Sequence, residues 1–240
     1  MYKQFKIILN SRGAKLPPNC SYRLYAWLLK QLPQSIGSGL HKQGETNIAQ
    51  YLYRDKDQED YIWVLNVLDP QLSNLVFSVL DRAQIIDLHD RTVLIRSVTA
   101  EQFGSPEELA ISGEFFRFTF RSATSFKQRG HASLFPMPEL IVKSAGAKWN
   151  SVFQKEVQDF TGIAEGLFVE DYRLFTTRFQ MKGNYIPGCL GTMNLRARLA
   201  GEELFLWQQL AGYINYCGLG VKTGLGMGGV QVECIDSKIR

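Results

Sequence analysis

One order of elements runs through this chain twice, and that repetition constrains its architecture more than any single motif. In the first half, "QFKIIL" (4–9) reads as a strand. "NCSYRLYAWLLKQLP" then places Tyr22, Tyr25, Ala26, Leu29 and Leu32 at helical spacing, with a candidate cap at Asn19 and a stop at Pro33. "YIWVLNVL" (61–68) is a strand, and Asp69-Pro70 caps and opens a second helix with Leu72, Leu75, Val76 and Val79 on one face. "QIIDLHDRTVLIRSVTAEQ" follows as two short strands around a tight turn at His89-Asp90, and 35–60 reads as a loop.

The polar, proline-marked "FGSPEE" (103–108) marks a boundary, after which the pattern starts again. "EFFRFTFR" alternates Phe116, Phe118 and Phe120 with Arg117, Thr119 and Arg121, the signature of a half-buried strand. A helix runs through "PELIVKSAGAKWNSVFQKEVQDF", and a long hairpin from Asp171 turns near Gly183-Asn184. A last helix carries Leu204, Trp207, Leu210, Ala211 and Ile214 on one stripe, and "GVQVECI" closes the chain as a strand. Each half reads as a ferredoxin-like unit, an antiparallel sheet with helices on one face. The expected fold class is therefore α+β, a tandem pair with units at 1–103 and 109–240.

At 240 residues and 45% hydrophobic, the chain has the material for two such cores. A net charge of +4 suits a polyanionic partner without requiring one. Cys20, Cys189, Cys217 and Cys234 lie far apart with no Cys-x-x-Cys spacing, so they read as free thiols of a reducing compartment. No apolar run is long enough to span a bilayer, and "MYKQFKIILNSRG" is too short and polar for a secretory signal. The expectation is a soluble cytoplasmic protein without membrane contact.

Six glycines stand in "CGLGVKTGLGMGGVQVE" (217–233), around one lysine, Lys222. A Walker loop fails, because the lysine precedes Thr223-Gly224 and the run leaves a helix to enter a strand. A dinucleotide fingerprint fails on the same topology. A helix cap and a bulged strand would explain Gly218 and Gly220, but not six glycines. What is left is a backbone cradle whose bare amides and Lys222 lie against a sugar-phosphate chain. On that reading Gly218, Gly220, Gly224 and Gly226 lie against the nucleic-acid chain, and Gly224→Val or Gly226→Val weakens binding with the fold largely intact.

A glycine-rich loop between the last helix and last strand of a tandem ferredoxin-like chain resembles the CRISPR-associated RAMP proteins. The segment 122–152 is similar to one branch, the endoribonuclease of Cas family six that cuts CRISPR repeat RNA. The matching residues are Thr124-Ser125-Phe126-Lys127, Phe135-Pro136-Met137-Pro138 opening a helix, and Trp149-Asn150 within it. The resemblance spans essentially the whole chain. It implies metal-independent cutting of precursor transcripts into guide RNAs, with a 5′-hydroxyl and a cyclic or 3′-phosphate at the new ends. No cofactor is expected. The implied partners are CRISPR repeat RNA and proteins of a CRISPR effector complex, and the implied state is monomer or homodimer. A non-catalytic RAMP scaffold is the rival reading.

RNA supplies its own nucleophile, the 2′-hydroxyl, so a protein must add a base, an acid for the leaving 5′-oxygen and positive charge for the phosphorane. The acidic "DKDQED" (55–60) reads as a solvated turn, not a metal site. Of the three histidines, His89 falls in a hairpin turn and His131 in a loop near candidate RNA contacts. Leu40-His41 matches the position at which the resembled family carries an acid-base histidine. The resemblance also implies a tyrosine from the first helix, where Tyr25 stands, although its spacing equally makes it core. The family's later lysine is missing, and Lys42 is the nearest cation. For RNA binding the candidates are Lys222 and Arg129 in glycine-flanked loops, with Lys127 beside Arg129 in "SFKQRG". Arg178, Lys182, Arg196 and Arg198 on the hairpin are weaker ones.

Overall fold

The computed structural model describes residues 1–36, 47–55, 60–153 and 158–235. Its first sheet contains β1 (Tyr2–Asn10), β2 (Ile48–Arg54), β3 (Tyr61–Val67), β4 (Ile85–Asp87) and β5 (Thr92–Phe103) in the order β2-β3-β1-β5-β4. The second contains β6 (Phe115–Thr124), β9 (Leu167–Met181), β10 (Asn184–Ala197) and β11 (Val230–Cys234) in the order β11-β6-β10-β9. Taking β5 as the fourth strand of the first unit, both sheets place the first and third strands between the second and the fourth, and in the first sheet β4 adds an edge beyond β5. That is one topology used twice, and the fold is tandem ferredoxin-like. A separate small hairpin, β7 (Phe126–Gln128) with β8 (His131–Ser133), springs from the end of β6.

Helix α1 (Cys20–Gln31) and α2 (Pro70–Arg82) cover the first sheet, and α3 (Pro138–Phe153) and α4 (Gly201–Cys217) the second. The Asp69 carboxylate accepts from the amides of Gln71 and Leu72, as the Asp-Pro pair predicts. Asn19 precedes α1 as expected, but its side chain makes no capping bond. The face α1 buries is also turned from the predicted one: Leu24, Tyr25 and Leu28 are buried, while Tyr22, Ala26 and Leu29 are only partly so.

The second core is built on the predicted phenylalanine stripe. Phe116, Phe118 and Phe120 are 0%, 0% and 3% exposed, and the first two meet Trp207 of α4 at ring-centroid distances of 5.6 and 6.3 Å. Successive strand residues point to opposite faces, so this alternation fixes which side of β6 receives the helices. The hairpin turns at Lys182-Gly183, one residue before the expected Gly183-Asn184, and β9 starts at Leu167, before the expected Asp171.

Two elements were not visible in the sequence. β2 lies inside the stretch that reads as a loop, because five of its seven residues are buried and the solvent-facing alternation that marks a strand is missing. The hairpin β7-β8 has strands of three residues each, too short for any period. Among the described residues no helix is long and apolar enough to cross a membrane.

Candidate nucleic-acid interface

The glycine loop is held on every side. Helix α4 ends at Cys217, and Lys148 of α3 donates to the carbonyls of Cys217 and Gly218 at 3.2 and 3.1 Å. Beyond it the backbone is stitched to β6 and α3. The Val221 amide donates to Ser125 O at 2.9 Å, that of Gly220 to Ser144 Oγ at 2.8 Å, that of Gly228 to Ala123 O at 3.0 Å and that of Gly229 to Ser122 Oγ at 2.8 Å. The loop also closes on itself, with Leu219 N donating to Gly228 O at 2.9 Å.

This packing corrects the expectation that structure alone would not explain so many glycines. A Cβ at Gly218 would strike the Gly228 carbonyl, at Gly220 that of Ser125, at Gly228 that of Leu219, and at Gly229 the ring of Tyr51. At Gly226 it would strike Ser21 of α1, and the φ of 106° there is one that side chains rarely adopt. Gly218 and Gly226 are buried, so they shape the loop and present no surface to a ligand. Gly226→Val therefore cannot leave the fold intact, contrary to the sequence expectation.

What stays open is the crest. Lys222 is exposed and left-handed (φ 59°, ψ 34°), and a 3-10 turn, Thr223–Leu225, follows it. Among the described residues, the amides of Lys222, Thr223 and Gly224 donate to no acceptor, while the Lys222 carbonyl accepts from Leu225 and Met227 at 2.9 and 3.3 Å. A left-handed residue followed by right-handed ones turns successive amides to one side, a concavity that receives anions. Of the predicted loop residues, Lys222 and Gly224 are thus the ones placed to meet a phosphate, with Gly220 half-buried behind them.

Two basic hairpins flank this loop. Lys127 and Arg129 are exposed on β7-β8, whose first strand directly follows the Ser125 that holds Val221. The tip of β9-β10 leans onto the same region, since Phe179, Met181 and Ile186 pack with Ala123 and with Met227 of the loop. Arg178 and Lys182 are exposed on that tip. Arg196 and Arg198 instead lie over Phe115 and Phe168 at 4.4 and 5.0 Å, and Arg196 is 3.7 Å from Glu170. Exposed His131 is on β8, and His89 occupies the tight β4-β5 turn as predicted.

The candidate catalytic residues His41 and Lys42 lie outside the described residues. Tyr25 is 4% exposed within the first core, the packed placement that its helical spacing allows. Among the described residues no three His, Cys, Asp or Glu side chains converge to hold a metal ion. Of the acidic stretch, Asp60 pairs with Arg96 at 2.8 Å. Burial pushes the Cys217 thiol, beneath the loop, up to about 12, with Lys148 opposing it. Sequence reasoning missed Lys148, Ser144 and Gln50 as supports of the loop, because each acts on a segment remote in the chain and none has a local pattern.

The family model described as CRISPR-associated endoribonuclease Cas6 matches residues 118–230, from β6 through the whole glycine loop to the start of β11. A Streptococcus thermophilus CRISPR-associated endoribonuclease Cas6 is 27% identical over 221 residues, covering 88% of this chain and 90% of that protein. The chain is similar to Cas6 endoribonucleases in sequence over most of its length. A solved Cas6 product complex shares the fold at a TM-score of 0.81 and 22% identity, covering 97% of this chain and all (100%) of that one. A Thermus thermophilus Cas6 does so at a TM-score of 0.75 and 22% identity, over 97% of this chain and 98% of that one.

Proposed function

We propose that this chain binds CRISPR repeat RNA and cuts precursor transcripts into guide RNAs, acting as a metal-independent endoribonuclease with units at 1–103 and 109–240. The observation that carries the reading is the crest of the glycine loop, where three amides without acceptors among the described residues stand beside the exposed ammonium of Lys222. The match to the Cas6 family model over residues 118–230 and the similarity to a CRISPR-associated endoribonuclease support the substrate class.

In this reading the crest, Lys127 and Arg129 hold the phosphate chain. The 2′-hydroxyl at the cut site loses its proton and attacks the adjacent phosphorus, forming a 2′,3′-cyclic phosphate. The bond to the 5′-oxygen breaks, and that oxygen takes a proton and leaves as a 5′-hydroxyl. His41 serves as the general acid or base, since imidazole exchanges protons near neutrality. Lys42 supplies charge to the phosphorane. Incubating the protein with its repeat RNA in EDTA and reading both product ends tests this. The expected result is one cut per repeat with those ends, abolished by a 2′-deoxy sugar at the cut site. Activity that vanishes in EDTA and returns with magnesium overturns the mechanism. Binding without any cleavage favours the scaffold reading instead.

A further inference from the structure

Phosphate contacts position an RNA, but its sequence is read on the bases, and the crest offers only amides and an ammonium. A surface suited to a base stands on the next segments. Phe135 and Tyr172 are 41% and 56% exposed, and their rings meet edge to face, with centroids 5.3 Å apart and planes at 79°. Among the described residues they form the one ring pair in which both partners are exposed. Large apolar side chains left together at a surface mark a contact site. In an edge-to-face pair, the ring that presents its edge keeps both faces off its partner, so a flat group can lie on it.

The backbone holds both rings in place. Phe135 precedes the buried Pro136, whose ring fixes its own φ and restricts the residue before it. The Phe135 carbonyl accepts from Met137 N at 3.0 Å, just ahead of α3. Tyr172 stands opposite the buried Met193 in the ladder of β9 with β10. The pair is also continuous with the candidate interface. β8, the partner of the strand that carries Lys127, ends at Ser133, two residues before Phe135. Ser144, which accepts from Gly220 N, lies six residues into α3, roughly 9 Å along the axis from Pro138. From 115 to 138 the chain carries four Arg or Lys and no Asp or Glu. Glu139 follows in the first turn of α3, where the helix dipole favours an acid. The carboxylate of Asp171, beside Tyr172, is turned to the other face of β9, where it accepts from Asn194 Nδ2 at 2.9 Å.

We propose that Phe135 and Tyr172 form a stacking subsite for an unpaired base of the RNA, separate from the phosphate-holding crest. This rests on the function proposed above. Unpaired RNA is recognised largely by bases splayed onto aromatic rings, and a stacked base adds affinity without neutralising a phosphate. Losing the subsite therefore weakens binding without changing its salt dependence, unlike the loss of Lys222.

The test measures the affinity of native protein, Tyr172→Leu, Phe135→Leu and Tyr172→Trp for repeat RNA with a 2′-deoxy sugar at the cut site, across a salt series. The RNA carries 2-aminopurine at each unpaired position in turn. Leucine keeps apolar bulk but removes the π-face, and tryptophan restores it. The expected result is affinity lowered about 5–100-fold in both leucine variants with an unchanged salt slope, and Tyr172→Trp within about threefold of native. One labelled position should be quenched on native protein and not on Tyr172→Leu. Both side chains are exposed, so thermal midpoints should stay close to native. Leucine variants that bind as tightly as native, a slope that falls with the affinity, or the absence of any quenched position overturns the proposal. So does a native protein that self-associates in sedimentation and comes apart in Tyr172→Leu with RNA affinity unchanged, which assigns the rings to a second copy of the chain. If native protein does not bind repeat RNA, the functional reading fails first and the subsite falls with it. Native binding and cleavage with unaffected leucine variants removes the subsite alone.

Discussion

Replacing Gly226 by alanine separates a loop built for packing from one built for contact. Two costs add at this position. Its φ of 106° is a conformation that L side chains rarely adopt, and a left-handed residue other than glycine costs roughly 1–2 kcal/mol. The new Cβ would also collide with Ser21, which is 0% exposed and whose hydroxyl donates to Pro18 O at 2.8 Å, so it has little room to retreat. Overpacking of this kind costs about 1–3 kcal/mol. The sum is roughly 2–5 kcal/mol, a large part of the ~5–15 kcal/mol that holds a typical domain together. Gly13→Ala is the internal control, since Gly13 has a φ of 83° but nothing within 4 Å of a built Cβ, so only the first cost applies. At about 2–4 °C per kcal/mol for a chain of this size, Gly13→Ala should lower the thermal midpoint by roughly 2–8 °C and Gly226→Ala by roughly 4–20 °C. Calorimetry or circular dichroism melts read both. Equal shifts for the two variants would refute the packing argument. So would a Gly226→Ala protein of native stability that binds RNA poorly, which would return the glycine to a contact role.

Lys222→Ala should leave the melting curve nearly unchanged, because the side chain is exposed, and should make the salt dependence of RNA binding shallower by roughly 0.7 per lost phosphate contact; an unchanged slope removes Lys222 from the interface. His41→Ala should slow single-turnover cleavage about 10²–10⁴-fold at saturating protein with little change in affinity, and full rescue by saturation would move His41 to binding and direct attention to His131. Thiol chemistry checks the packing under the loop. At pH 8 an alkylating reagent should modify exposed Cys234 first, while burial holds Cys217 up to about 12 and Cys189 up to about 11, so both stay protonated and unreactive until the chain unfolds. Peptide mapping that finds Cys217 modified as fast as Cys234 would contradict the buried placement.

Elements with a strong period were legible from residues alone. Phe116, Phe118 and Phe120 announce β6 and its buried face because a strand alternates sides, and Asp69-Pro70 announces α2 because cap and φ constraint are both local. The hairpin turn, read at Gly183-Asn184 and found at Lys182-Gly183, is legible to within one residue for the same reason. β2 was not, since a strand buried on both faces loses the alternation that distinguishes it from any apolar run.

The glycine loop divides most clearly between the two levels. The sequence alone shows that six glycines surround Lys222 between the last helix and the last strand, and it excludes a nucleotide loop by topology. It does not show why the side chains are missing. That reason is tertiary: the Gly228, Ser125 and Leu219 carbonyls, Ser21 and the Tyr51 ring, most of them far away in the chain, occupy the space where side chains would stand. Tyr25 shows the same division, because a helical period places it on a face but only the packed neighbours decide whether that face meets core or substrate. Gln50 is the extreme case. A lone glutamine carries no local signal, and its meaning comes from three partners, at 21, 63 and 224, that only the folded chain brings within hydrogen-bonding reach.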